Sequence, residues 1–228
     1  MLALTLLPLF LSCVAASEHR GGPPRCDISA AKISLPPNQT MLVAPKEGPS
    51  FIGLAIGIQN YTCADSGTFT NIGAVAELFD VSCLSGTPEF PSLANIVFSV
   101  WDSAPPATGI FQVIDFLAKL KASFVLGQHY FVTSPSGTGI SPKWDFTSAS
   151  LAGHPNAFVI GAKVGDIVAP TGPPDVDWLS LVDAEGDLAT QIFRVNTVGG
   201  LPPTSCVPGS SEITVKYSSL YWLYGSSV

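Results

Sequence analysis

Phe51-Ile52-Gly53-Leu54-Ala55-Ile56-Gly57-Ile58-Gln59-Asn60-Tyr61 is the stretch on which the fold turns. Ile52, Leu54, Ile56 and Ile58 occupy every second position, and Gly53, Ala55, Gly57 and Gln59 lie between them. Side chains of an extended chain alternate between two faces, so this period of two specifies a strand rather than a helix. One face is strongly apolar, which predicts a half-buried strand. The other carries almost no side chain and lets a second backbone or a ligand come close.

Further apolar runs broken by turn residues extend the pattern. Gly73 to Cys83, Asn95 to Trp101, Phe158 to Val164, Trp178 to Val182, Gln191 to Thr197 and Glu212 to Tyr217 are predicted strands, and Tyr221 to Tyr224 closes the sheet. Ile110 to Phe124 departs from this. Ile110, Phe111, Ile114, Leu117, Leu120 and Lys121 follow spacings of three and four after Pro105-Pro106, which predicts one amphipathic helix. Charged residues make up only 12% of the chain, against 21 Gly and 20 Pro, a composition of short strands and tight turns. The expected class is mostly β: an antiparallel β-sandwich or β-barrel with about one amphipathic helix. Residues 41–228 form a single β-rich domain, preceded by a Pro/Gly-rich arm over 17–40.

Residues 2–16 contain no charge and end in Val14-Ala15-Ala16, followed by the polar Ser17-Glu18-His19-Arg20. The run is short for a bilayer core of about 30 Å, so 1–16 is predicted to be a signal peptide cleaved after Ala16. The rival is a retained anchor or a lipidated Cys13, for which Phe10-Leu11-Ser12-Cys13 is a poor match. No later stretch is apolar for long enough to span a membrane. Cys26, Cys63, Cys83 and Cys206 then remain, an even number suited to disulfides in an oxidising compartment, with three pairings open. There is no C-x-x-C and no His at ligand spacing from a Cys, so no metal is expected. Asn38-Gln39-Thr40 and Asn60-Tyr61-Thr62 are glycosylation sequons, and Asn38, after Pro36-Pro37, is the better acceptor. The net charge is −7 and the ten Lys and Arg are scattered singly, which disfavours nucleic acid and anionic membrane surfaces as partners.

No motif names a reaction. Gly53 to Gly57 and Gly137-Thr138-Gly139 do not complete a dinucleotide fingerprint, and there is no phosphate loop or nucleophile elbow, so no cofactor is implied. His19, His129 and His154 are the only histidines, and His154 before Pro155 reads as a turn. His129 lies among aromatics close to Trp144, an arrangement that could serve acid/base chemistry or ring stacking. The alternative is a strand histidine hydrogen-bonded at a turn and a core tryptophan. Asp177 beside Trp178 offers a carboxylate next to a ring, or a loop cap. Arg194, between Phe193 and Val195, points away from the apolar face and calls for an ion-pair partner. Tyr217, Tyr221, Trp222 and Tyr224 form either a stacking surface or a strand locked onto the core. His129, Trp144, Asp177 and Arg194 are thus the candidate pocket.

Several strings occur in an order that resembles a known family: Gln59-Asn60-Tyr61-Thr62-Cys63, Ala76-Glu77-Leu78-Phe79-Asp80, Gly127-x-His129-Tyr130, Pro142-x-Trp144, Asp177-Trp178-Leu179 and Tyr217-x-x-x-Tyr221. The most specific is Arg194-Val195-Asn196-Thr197-x-Gly199-Gly200-x-Pro202-x-x-Cys206. The chain resembles a secreted fungal and bacterial family of unknown function whose fungal members often carry a malate-dehydrogenase label. That label conflicts with the missing dinucleotide fingerprint. The resemblance implies Cys63 paired with Cys206, hence Cys26 with Cys83. The expectation is a secreted extracellular or cell-wall protein, non-catalytic, contacting cell-wall or host carbohydrate. The alternatives are a cofactor-free enzyme or a carrier of a small apolar molecule with a pocket near His129, and a structural coat component.

Overall fold

The computed structural model describes residues 26–105 and 107–228; the expected signal peptide and the first nine residues of the polar arm, 17–25, lie outside the described residues. Among the described residues the strands are β1 (Phe51–Cys63), β2 (Phe69–Asp80), β3 (Val125–Thr133), β4 (Ile140–Asp145), β5 (Phe158–Ile167), β6 (Trp178–Glu185), β7 (Gln191–Gly199) and β8 (Ile213–Tyr224). Each pairs antiparallel with the next, and β8 returns to β1, closing the sheet into a barrel. Two helices, α1 (Leu93–Asp102) and α2 (Ile110–Leu120), both follow β2 and lie on the outer wall.

The opening stretch is buried on both faces, not one. Ile52, Leu54 and Ile56 point outward into a core shared with Leu93, Val97 and Trp101 of α1 and Ile110 and Leu117 of α2. Ala55 points inward, into a second core with Leu78, Trp144, Tyr217 and Tyr221. The helices thus cover a face that a simple half-buried strand would leave wet. The small residues make room for lumen side chains: a Cβ on Gly53 would meet Leu78 at 3.2 Å and Leu126 at 3.4 Å. β8 divides in the same way, with Tyr217, Tyr221 and Leu223 inside and Leu220, Trp222 and Tyr224 outside.

Asn95 to Trp101 is a helix, not the expected strand. Its buried residues are Leu93, Ala94, Val97 and Trp101, a spacing of three and four that seats one stripe on the barrel. The indole Nε1 of Trp101 donates to Gly57 O at 2.8 Å, and Lys216 Nζ donates to Trp101 O at 2.8 Å, placing a cation at the helix C-terminus. The second helix ends four residues earlier than expected. Lys121 adopts a left-handed conformation (φ 48°), which frees Val125 to open β3.

β3 and β4 were not among the expected strands, although one reading of His129 placed it on a strand. Gly127 hides the first: the β2–β3 register slips there, and a Cβ would collide with Asp145 O and the Phe146 ring. The second run of the sheet, expected from Gly73 to Cys83, instead spans Phe69 to Asp80, and Cys83 lies in a 3-10 turn. Glu212 to Tyr217 and Tyr221 to Tyr224 merge into one strand, β8. The cysteines pair as Cys26–Cys83 and Cys63–Cys206, fastening the arm to the turn after β2 and the end of β1 to the β7–β8 connection. No described helix is long and apolar enough to cross a membrane.

Candidate functional site

The two ends of the barrel lumen differ chemically. Phe51, Leu78, Phe146, Leu151, Leu188 and Leu223 fill the end where β1 begins, with Phe51 and Phe146 edge to face at 5.3 Å. Toward the other end the inward positions become aromatic and polar.

His129 supplies the centre of that half. It pairs in register with Ala76 of β2 and Trp144 of β4, and points inward. Its ring stacks on Trp144 (centroids 4.6 Å, planes 23° apart) and lies 5.4 Å from Tyr221 and 5.7 Å from Phe131. His129 Nδ1 is 3.0 Å from Lys143 O. A carbonyl can only accept, so Nδ1 carries the hydrogen and Nε2 presents a lone pair. Burial, reinforced by the Arg194 charge and opposed by the Lys143 carbonyl, holds the His129 pKa down to about 3. At neutral pH the ring is therefore uncharged, with Nδ1 donating to Lys143 O and a lone pair left on Nε2.

Arg194 also faces the lumen, because Phe193 and Val195 on either side pack outward. The expected ion pair is not formed. Its Nε and Nη2 donate to the backbone carbonyl of Asp177 at 3.1 and 2.9 Å, and none of the described salt bridges includes it. Asp177 contributes that carbonyl, and its half-buried carboxylate reaches Tyr61 only electrostatically. The structure thus joins Arg194 to Asp177 and His129 to Trp144, and both pairs border the same lumen. His154 lies in a turn, its N–H donating to Leu151 O.

Other lumen residues were not part of the candidate pocket; of these, Tyr217 and Tyr221 were expected as a stacking surface or a strand locked onto the core, and they lie in the inner core. Tyr217 and Tyr221 hydroxyls are 3.4 Å apart, and burial first, then Tyr221, raises the Tyr217 phenol well above its ordinary value. Tyr61 donates to Gly200 O at 2.8 Å, and Asn71 donates to Gln59 Oε1 at 3.0 Å. Gln59 Nε2, Ser219 Oγ and Trp144 Nε1 are buried with no hydrogen-bond partner among the described residues. Period-two alternation was the available signal: Gln59 lies on the small face of β1, and Tyr217, Ser219 and Tyr221 share one face of β8. Outside the wall, Lys143 pairs with Asp145 at 2.8 Å and Tyr130 donates to it at 2.7 Å. Burial would raise Asp145, but the bonds from Lys143, Thr147 and Tyr130 outweigh it and hold the pKa down to about 2. Asp175 is a loop cap, accepting the Gly199 N–H.

The lumen offers several donors and one imidazole acceptor. Among the described residues no group of three His, Cys, Asp or Glu could hold a metal ion. No curated protein and no solved structure matches the chain. One family model does match, over residues 44–225, a span that contains every strand of the barrel and both helices. The chain belongs to that family, a protein family of unknown function designated DUF3455.

Proposed function

We propose that the protein is an extracellular, non-catalytic binding barrel that takes a small ring compound carrying a carboxylate at the polar half of its lumen. The observation that carries this reading is Arg194, a cation that faces the lumen without an ion-pair partner among the described residues. A guanidinium matches the geometry of a carboxylate, and a charged hydrogen bond is worth about 1.5–3 kcal/mol. Phe69 and Phe131, half-buried on the same half of the lumen, offer ring faces. Gln59 Nε2 and Ser219 Oγ offer further hydrogen bonds. An acidic sugar and an aromatic acid share this chemistry. Two disulfides, the apolar leader and the Asn38 sequon support the extracellular setting.

Catalysis by His129 is the weaker reading. A base with a pKa of about 3 lies far from neutral pH, where general acid/base exchange is most effective. Calorimetric titration with glucuronate and benzoate, against glucose and benzyl alcohol, tests the proposal. The carboxylates bind, the neutral compounds bind at least tenfold more weakly, and Arg194→Gln removes the difference. Equal binding of acid and neutral forms, or an Arg194→Gln protein with unchanged affinity, refutes it.

A further inference from the structure

Outside the lumen, a cleft of about 460 Å³ lies between the end of α2 and the outer wall formed by β2 and β3. Leu117 and Ala118 of α2 and Ala149 of the β4–β5 connection wall it, Gln128 borders it, and Glu77 faces it from β2. Glu77 occupies an outward position of the strand, between Val75 and Phe79, where its neighbours pack into the outer core. Only 2% of it is exposed, and its Oε2 has no hydrogen-bond partner among the described residues. Gln128 bonds its side chain. Lys121 also lines the cleft, but it is exposed and forms none of the described salt bridges.

A glutamate at such a position is costly for folding alone, since Gln or Leu would occupy similar volume without an ionisable group. Its free oxygen borders a cleft with largely apolar walls, to which Ser123, Ser148 and Ser150 add hydroxyls, and a volume within the range of small-ligand sites. The partner that such an oxygen lacks is a donor, preferably one that brings the missing positive charge. We propose that this cleft binds a small primary amine with an apolar body, the ammonium pairing with Glu77 and the body lying against Leu117, Ala118 and Ala149. Burial raises the Glu77 pKa to about 8, with Gln128 opposing, so ionising it at pH 7 costs about tenfold in affinity. A charge-assisted bond in a shielded site offsets that factor.

Benzylamine is the probe, with benzyl alcohol and benzoate as its neutral and anionic counterparts, titrated into the intact oxidised protein and followed by amide NMR. Benzylamine is expected to bind saturably, shift the Ala118 and Ala149 amides, and exceed both counterparts at least tenfold in affinity as read at those two amides. Glu77→Gln, which keeps the shape of the side chain, lowers its affinity at least tenfold. Ala118→Trp, which fills the cleft and leaves Glu77 in place, abolishes binding. Benzyl alcohol matching benzylamine, undiminished binding by Glu77→Gln, or the absence of shifts at Ala118 and Ala149 overturns the proposal. The site is separate from the lumen, so a failure of glucuronate or benzoate to bind there leaves this result unaffected.

Discussion

Replacing Glu77 by Gln is expected to stabilise the protein, and by an amount that depends on pH in an unusual direction. Folding raises the Glu77 pKa from 4.5 to about 8 through burial, with Gln128 opposing. The folded chain therefore holds this proton more tightly than the unfolded chain. Below about pH 4.5 both states are protonated and the carboxyl costs nothing. As pH rises, the unfolded state releases its proton first, and stability falls by about 1.4 kcal/mol per unit until the folded carboxyl also ionises near pH 8. At pH 7 the accumulated cost is about 3 kcal/mol, a sizeable share of the 5–15 kcal/mol typical of a domain. Gln cannot ionise and retains a group able to bond Gln128. Urea unfolding of the disulfide-intact wild type and Glu77→Gln at pH 4, 7 and 8.5 measures the difference. The curves should coincide at pH 4 and separate by about 3 kcal/mol at pH 7. A gap independent of pH, or a variant less stable at pH 7, would refute the reasoning about burial.

His129 makes the opposite contribution: its folded pKa is depressed from 6.5 to about 3, so stability is lost as pH falls through that window. His129→Phe, which keeps a ring beside Trp144, should flatten the acid limb of the stability–pH profile by about 1.4 kcal/mol per unit; an unchanged limb means that another group controls it. Loss of Cys63–Cys206, which spans 143 residues, should cost about 5 kcal/mol in the chain-entropy model, and loss of Cys26–Cys83, which spans 57, about 4. Denaturation of the two Ser double variants checks the order. Mass spectrometry of protein secreted from a eukaryotic host should find a glycan on Asn38, exposed at a turn, and none on Asn60, half-buried in β1 between β2 and β8. An occupied Asn60 would contradict the position of that strand.

The β class, α2 and several strand cores were legible because period-two alternation and turn residues are local signals. The choice of barrel over sandwich was not, since β1–β8 pairing depends on residues such as Ile52 and Trp222 that are far apart in sequence. Local patterns also misled where tertiary contacts decide. Phe98, Val100 and Trp101 suit a strand, yet Val97 and Trp101 are buried because the outer wall supplies a surface at helical spacing. Gly127 masked β3 by breaking its alternation with a bulge. His129 and Trp144 could be singled out by type, but the neutral state of the imidazole follows from its burial and from Lys143 O. The Arg194 ion pair was a reasonable expectation from charge and position. In the barrel, the backbone of Asp177 reaches the guanidinium instead. Glu77 entered only as part of a family string, because an acid on a strand ordinarily marks the wet side, and α2 covers this one.

The pairing of the first strand with the last has a consequence for the order of events during synthesis. β1 needs β8 as its neighbour, and Ile52 finds Trp222 only after some 170 further residues exist. Until then β1 and β2 present an unpaired edge and an apolar outer face, the conditions under which nascent sheets stick to one another. Cys63 likewise waits for Cys206. A chain threaded across a membrane before folding would thus reach the far side as a partial ribbon, and the twelve residues of β8 would turn an adhesive surface into a sealed one.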